Sequence, residues 1–229
     1  MSRQTSRKAE KLEDALRRSR SYATLGAANI RRNGGEHAKR AHEASDAAGA
    51  ARRLSARLAA DGFADVSYAS LDSPFGKLTA AVTERGLVRL AFPEEDSDAV
   101  LERLAARISP RIVEADAPLD SLRRELEEYF AGRRRRFELP LDWTLVGPFA
   151  QRVLRTAERI PYGGVLSYTQ VAAEAGSPRG SRAAGNALSS NPIPIVVPCH
   201  RVLRSGGALG GYAGGLDRKR WLLELEGSG

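Results

Sequence analysis

Between Val66 and Phe92 the chain commits itself to a small sheet. Val66 to Leu71 alternates apolar and polar residues, and Lys77 to Thr83 and Leu87 to Phe92 read as two further strands. Asp72-Ser73-Pro74-Phe75-Gly76 is a turn, and Glu84-Arg85-Gly86 is short enough for a hairpin. Such a sheet needs covering, and helical spacing follows at once. Ser97 to Arg107 places Val100, Leu101, Leu104 and Ile108 on one face, and Leu119 to Phe130 turns Leu122, Leu126, Tyr129 and Phe130 inward. Gly132 ends that helix. Arg133 to Arg136 reads as a solvated loop, and Phe137 to Leu141 as an edge strand. Residues 61–146 are thus expected to form a small α/β domain.

From Gly147-Pro148 onward the pattern is helical. Phe149 to Arg159 forms one helix, stopped by Ile160-Pro161-Tyr162-Gly163-Gly164. Ser167 is placed to cap a second, Tyr168 to Ala175. Gly176-Ser177-Pro178 leads to a third over 180–189, and the pair suggests a helix-turn-helix. Ala183, Ala184, Gly185 and Ala187 leave one side of that third helix nearly bare, with Arg182 as its one long cation. Leu216 to Glu226 closes the chain as an amphipathic helix, with Trp221, Leu222 and Leu225 inward. The expected class is α+β: a small N-terminal α/β domain (61–146), then a mainly helical, winged-helix-like domain (147–229). Residues 1–60 hold a single aromatic, Tyr22, and bury little, so they read as a basic, flexible or partly helical extension.

Cys199 is the only cysteine in 229 residues, which excludes an intrachain disulfide and a cysteine metal cluster. It is a buried small hydrophobe or a reactive centre. A β-branched, apolar run leads into Pro198, and His200 and Arg201 follow it. No apolar run approaches the ~20 residues that span a bilayer, and no apolar signal core is visible. A lone thiol without a secretory signal fits the cytoplasm. Charge is segregated: residues 1–60 carry 14 Lys/Arg against 6 Asp/Glu, residues 61–146 carry 12 against 17, and residues 147–229 carry 10 against 5. Two basic parts flanking an acidic one point to a polyanionic partner. The glycines from Ser205 to Gly215 imply positive φ or close backbone approach, but match no nucleotide-binding fingerprint.

Pro198-Cys199-His200-Arg201-Val202 resembles the active-site signature of the O6-alkylguanine-DNA alkyltransferases. Ser167-Tyr168, Ser181 to Gly185, Asn191 to Ile195, Gly211 to Gly215 and Trp221 to Gly227 resemble that family in order and spacing. The likeness is strong over 147–227, weaker over 64–141, and absent over 1–60. It implies an RNase H-like N-terminal domain and irreversible, single-turnover transfer of an alkyl group from guanine O6 to Cys199, with O4-alkylthymine as a second substrate. By resemblance His200 acts through a water and is oriented by Glu226, Asn191 orders the loop, and Tyr168 protonates the leaving base and contacts the phosphate backbone of the flipped nucleotide. The resemblance places Arg182 in the base stack in place of a flipped nucleotide. It implies that Ala183 and Gly185 lie against the minor groove, and Thr169, Ser177 and Ser205 at phosphates. By the same resemblance Pro194, Tyr212, Ala213 and Gly214 are expected to line the alkyl pocket. The implied partner is double-stranded DNA bearing the lesion, met by a monomer, with no cofactor and no membrane. Some relatives hold a structural zinc through N-terminal cysteines; this chain has no second cysteine and is expected to hold no metal.

Two other readings fit parts of the pattern. A cysteine hydrolase would also use Cys, His and a carboxylate, with the glycine loop as oxyanion hole, but leaves Arg182 unexplained. A non-catalytic helix-turn-helix protein accounts for the basic half but not for Cys199, His200, Glu226 and Tyr168 together.

Overall fold

The computed structural model describes residues 46–228, apart from 48 and 52. Tyr22 and most of the extension expected over 1–60 lie outside the described residues. The chain divides into two units, Met1–Leu54 and Ser55–Gly229. In the first, the described residues are helical. The second is treated below.

Strands β1 (Val66–Leu71), β2 (Leu78–Thr83) and β3 (Gly86–Ala91) form an antiparallel meander, as the turn signals require. A short β4 (Ile112–Glu114) adds parallel to β1, giving the order β3-β2-β1-β4. Helix α1 (Ser97–Arg107) makes the crossover that a parallel neighbour needs. The sheet is covered on both faces. Val66, Ala81, Val88 and Ala91 pack with Val100 and Leu104 of α1. On the other face Ala69, Leu71, Leu78, Leu87 and Leu90 join α2 (Asp120–Phe130) through Leu122, Leu126, Tyr129 and Phe130. Each fully buried leucine of that layer contributes about 1.5–3 kcal/mol. The same cluster continues without a break into the helical half.

The expected edge strand over 137–141 does not form. Leu141 makes a single bridge to Leu87, because Pro140 has no N–H to donate and Glu138 N donates instead to the buried Glu125 carboxylate at 2.9 Å. Pro140 still serves as a clasp, since its carbonyl accepts from Leu87 N at 2.9 Å.

The C-terminal half packs α3 (Pro148–Glu158), α4 (Tyr168–Glu174) and α5 (Ser181–Ser189) against one another. Ser167 caps α4 in a full capping box with Gln170, worth about 1 kcal/mol, and so fixes Tyr168 as its first helical residue. A two-residue parallel pair, β5 (Leu166–Ser167) with β6 (Val202–Leu203), ties this helix to the chain just beyond Cys199. Helix α6 (Leu216–Glu226) ends the fold. Its buried stripe is Lys219, Leu222, Leu223 and Glu226. Trp221 and Leu225, expected inward, are only partly buried at the edge of that stripe. Among the described residues no helix is long and apolar enough to cross a membrane.

Gly86 opens β3 at φ +124°, and a Cβ there would lie 2.1 Å from the Pro140 carbonyl oxygen. Gly86→Ala should therefore cost about 2 kcal/mol or more, read as a lower urea midpoint with an unchanged slope.

Candidate active site

Cys199 begins a single 3-10 turn, Cys199–Arg201, at the end of the buried loop 191–198. That loop is held from two sides. Leu90 N and the Arg89 guanidinium donate to Pro192 O at 2.8 and 3.2 Å, so the edge of β3 fixes its start. Within the loop, Asn191 Oδ1 accepts from Ile193 N at 3.0 Å, and its Nδ2 donates to Val197 O at 2.9 Å and to Cys199 Sγ at 3.2 Å. Asn191 thus joins both ends of the loop and touches the sulfur. Ile195, fully buried, takes φ +73°, a strained state for a β-branched residue that this bonding over-determines.

Glu226 organises the other side of the turn. Its carboxylate accepts from His200 Nε2 at 3.0 Å, from Arg201 Nε at 2.8 Å and Nη2 at 2.9 Å, and from Tyr129 Oη at 2.6 Å. Burial alone would raise its pKa, but the bonds and charges of His200 and Arg201 overcome this and hold it at about 2. An ionised Glu226 can only accept, so Nε2 of His200 carries the proton. Burial keeps the imidazole below its ordinary pKa, against the pull of Glu226. The neutral ring then presents Nδ1 as an acceptor, and Nδ1 is buried with no hydrogen-bond partner among the described residues. An oriented base with a vacant lone pair thus adjoins the thiol in sequence.

The thiol is held protonated at rest. Cys199 is 4% exposed, and burial pushes it up to about 11, against the lowering effects of Asn191 and Lys219. Lys219, also buried, is brought down to about 8 by burial, against Cys199. Its ammonium donates to Val202 O at 2.6 Å and Gly211 O at 3.3 Å, which pins the glycine-rich loop to the strand after Cys199. Tyr168 Oη donates to Gly211 O at 3.1 Å, and a Cβ at Gly210 would come within 2.8 Å of its ring. Tyr212 lies edge-on to His200 and to Phe92, with its hydroxyl buried and without a hydrogen-bond partner among the described residues. Gly214 is buried against Phe92, Pro194 is buried in the loop, and Ala213 is exposed.

The structure therefore brings together Cys199, Asn191, His200, Glu226, Tyr168 and Tyr212. The remaining candidates lie on the surface of the helix-turn-helix and its neighbours. Arg182 and Ala183 on α5, Thr169 on α4 and Ser205 are exposed. Ser177 is half-buried, its hydroxyl folded over Gly180 at the entry to α5. The bare face expected on α5 is divided. Ala184 and Ala187 are buried, and Gly185 packs on the Tyr168 ring, so only part of the small-residue surface faces outward. Sequence reasoning missed Lys219, Tyr129 and the pairing of Arg201. Positions 219, 222, 223 and 226 follow helical spacing, and a lysine and a glutamate flanking two leucines on one stripe was the available signal.

A helix-turn-helix beside a buried thiol, an oriented imidazole and a carboxylate defines a DNA-facing protein with a nucleophilic centre. Residues 66–143 match the family described as 6-O-methylguanine DNA methyltransferase, ribonuclease-like domain, and residues 148–228 its DNA binding domain. A Bacillus subtilis (strain 168) protein, the constitutive methylated-DNA–protein-cysteine methyltransferase, is 39% identical over 163 residues, covering 69% of this chain and 94% of its own. The crystal structure of Mycobacterium tuberculosis O6-methylguanine methyltransferase aligns with a TM-score of 0.61 at 38% identity, over 71% of this chain and 93% of that one. Mycobacterium tuberculosis OGT in complex with DNA aligns with a TM-score of 0.59 at the same identity and coverage. The chain belongs to the 6-O-methylguanine DNA methyltransferase family.

Glu226→Gln would leave the Arg201 guanidinium buried without its counter-charge, at a cost of about 3–5 kcal/mol near neutral pH. Because the folded pKa of Glu226 lies below its ordinary 4.5, its stabilisation is complete above 4.5 and fades as pH falls toward 2. Urea unfolding of both chains should show their difference shrinking over that window.

Proposed function

We propose that Cys199 accepts an alkyl group from O6 of guanine, and from O4 of thymine, in double-stranded DNA, once per protein molecule. The single observation that carries this is the Asn191–Cys199 and His200–Glu226 arrangement within a chain of this family. The thiol proton passes through a bridging water to Nδ1 of His200, and Glu226 stabilises the imidazolium that forms. Sulfur then attacks the saturated carbon, the carbon–oxygen bond breaks, and Tyr168 supplies a proton to the departing base. The product is a thioether, which offers no leaving group for water to displace. Turnover therefore stops at one, unlike in a cysteine hydrolase.

The alkylated base reaches the sulfur by rotating out of the stack, at a cost of a few kcal/mol. Since the thiol is nearly closed off, the glycine-rich loop gives way as the base enters, with Pro194, Tyr212, Ala213 and Gly214 surrounding the alkyl group. Positive φ at Gly206, Gly207, Gly210 and Gly215 supports a loop that can be re-set. Arg182, exposed on α5 with no bond inside the protein among the described residues, fills the gap left in the duplex. Ala183 and Gly185 admit the minor groove, and Thr169, Ser177 and Ser205 bind phosphates. In this reading 61–146 is a scaffold that holds the loop before Cys199, 147–229 carries the chemistry and the DNA surface, and 1–60 is an extension. The protein works in the cytoplasm as a monomer and needs no cofactor.

Incubation with an oligonucleotide containing O6-methylguanine should raise the intact mass by one CH2, and peptide mapping should place it on Cys199. Repeated turnover of unmodified protein would refute the proposal. Cys199→Ser should bind the same DNA and gain no mass. Arg182→Ala should slow transfer from duplex DNA about tenfold or more, consistent with a lost stacking contribution of about 1–3 kcal/mol. Transfer from free O6-alkylguanine base should be unaffected, and equal slowing of both would exclude the stacking role.

A further inference from the structure

The arginine run after α2 reads as a solvated loop in sequence, but in the structure its members have different fates. Arg134 turns back onto acidic residues, with Glu128 at 2.9 Å, Glu125 at 3.6 Å and Glu138 at 3.8 Å. Arg135 and Arg136 turn instead into a cavity of about 640 Å³. Across it stand Arg155 and Arg159, from the end of α3. None of these four arginines has a carboxylate partner among the described residues, and Glu158 is the only acidic residue in the wall. Other arginines, such as Arg89, Arg111, Arg123 and Arg218, are ion-paired. Arg159 donates to Thr156 Oγ1 at 3.3 Å, but four guanidinium groups without a carboxylate partner around one concavity create a positive potential there.

The remaining walls are apolar and partly aromatic. Phe137, Leu139 and Tyr162 line the cavity, and Val196 and Pro198 form part of its floor. Arg135 sits 5.8 Å from the Tyr162 ring centroid, where the ion-paired Arg201 also lies at 5.9 Å, and Arg155 lies 5.1 Å from that of Trp143, so two of the four guanidinium groups rest on aromatic faces. The volume is within the usual range for small-ligand sites. Arginine forks suit phosphate oxygens, and aromatic walls suit a planar ring.

We propose that this cavity is a second binding site, separate from the Cys199 pocket, for a nucleotide: its phosphates on Arg135, Arg136, Arg155 and Arg159, its base against Tyr162 and Phe137. The nucleotide is free in solution or is a unit of a nucleic-acid strand lying across this face. The site backs onto the loop that leads to Cys199 and the turn that begins there, with Pro198 from the first and Arg201 from the second in its wall.

Isothermal titration calorimetry of the full chain at low ionic strength, without magnesium, tests this with ATP, adenosine and a short 5′-phosphorylated oligodeoxynucleotide. ATP is expected to bind saturably at submillimolar concentration and adenosine not to saturate. The Arg135→Ala/Arg136→Ala pair should weaken ATP at least tenfold, while Arg133→Ala, exposed and outside the cavity, should leave it unchanged. Saturation by the oligonucleotide alone, with the same response to the double variant, would assign the phosphates to a strand. Binding of neither ligand, or equal weakening by Arg133→Ala, would overturn the proposal. All three arginines are exposed, so the variants should keep the parent's unfolding midpoint. Failure of alkyl transfer by the unaltered chain would refute the role of Cys199 and leave this site standing.

Discussion

One buried carboxylate holds the molecule's two halves in working relation. Glu226 lies at the last turn of α6, yet it accepts from Tyr129 on α2 and from His200 and Arg201 in the turn that begins with Cys199. Burying a lone carboxylate would be prohibitive, but Arg201 balances it with two charge-assisted bonds, and the tyrosine takes up further acceptor capacity. The arrangement dictates chemistry as well as stability. A carboxylate held ionised forces the proton of His200 onto Nε2, and so leaves Nδ1 as the acceptor. A protonated Glu226 would blur that choice.

Much of the fold was legible because its signals are local. The three strands of the meander, the Ser167 capping box and the closing helix fall where alternation, turn residues and capping chemistry put them. The strand over Ile112–Glu114 was not legible. Three residues carry no usable period, and their pairing with β1 depends on a crossover set by tertiary packing. The failed strand at 137–141 has the opposite cause. Its composition suits a sheet edge, but a buried glutamate thirteen residues earlier captures the amide that a ladder would need.

The site divides in the same way. Cys199, His200, Asn191 and Tyr168 stand out by motif, since their residue types are fixed by the chemistry. Tyr129 does not, because its partner lies 97 residues away and nothing near it signals a polar role. Lys219 was hidden for another reason. On a helix that is charged on most faces, a buried lysine is visible only once the stripe through Leu222, Leu223 and Glu226 is traced. The alanines of α5 serve two neighbours at once: some admit close helix packing, while Ala183 and Arg182 remain on the surface.

The burial that keeps the Cys199 proton in place has a consequence if, as proposed, each molecule reacts only once. A permanently ionised thiolate would be capped by whatever electrophile diffused past, and each such event would remove a molecule from service. With its pKa held near 11, the sulfur is almost wholly in its unreactive form at neutral pH. Enclosed as well as protonated, at 4% exposure, it offers a passing electrophile little to attack.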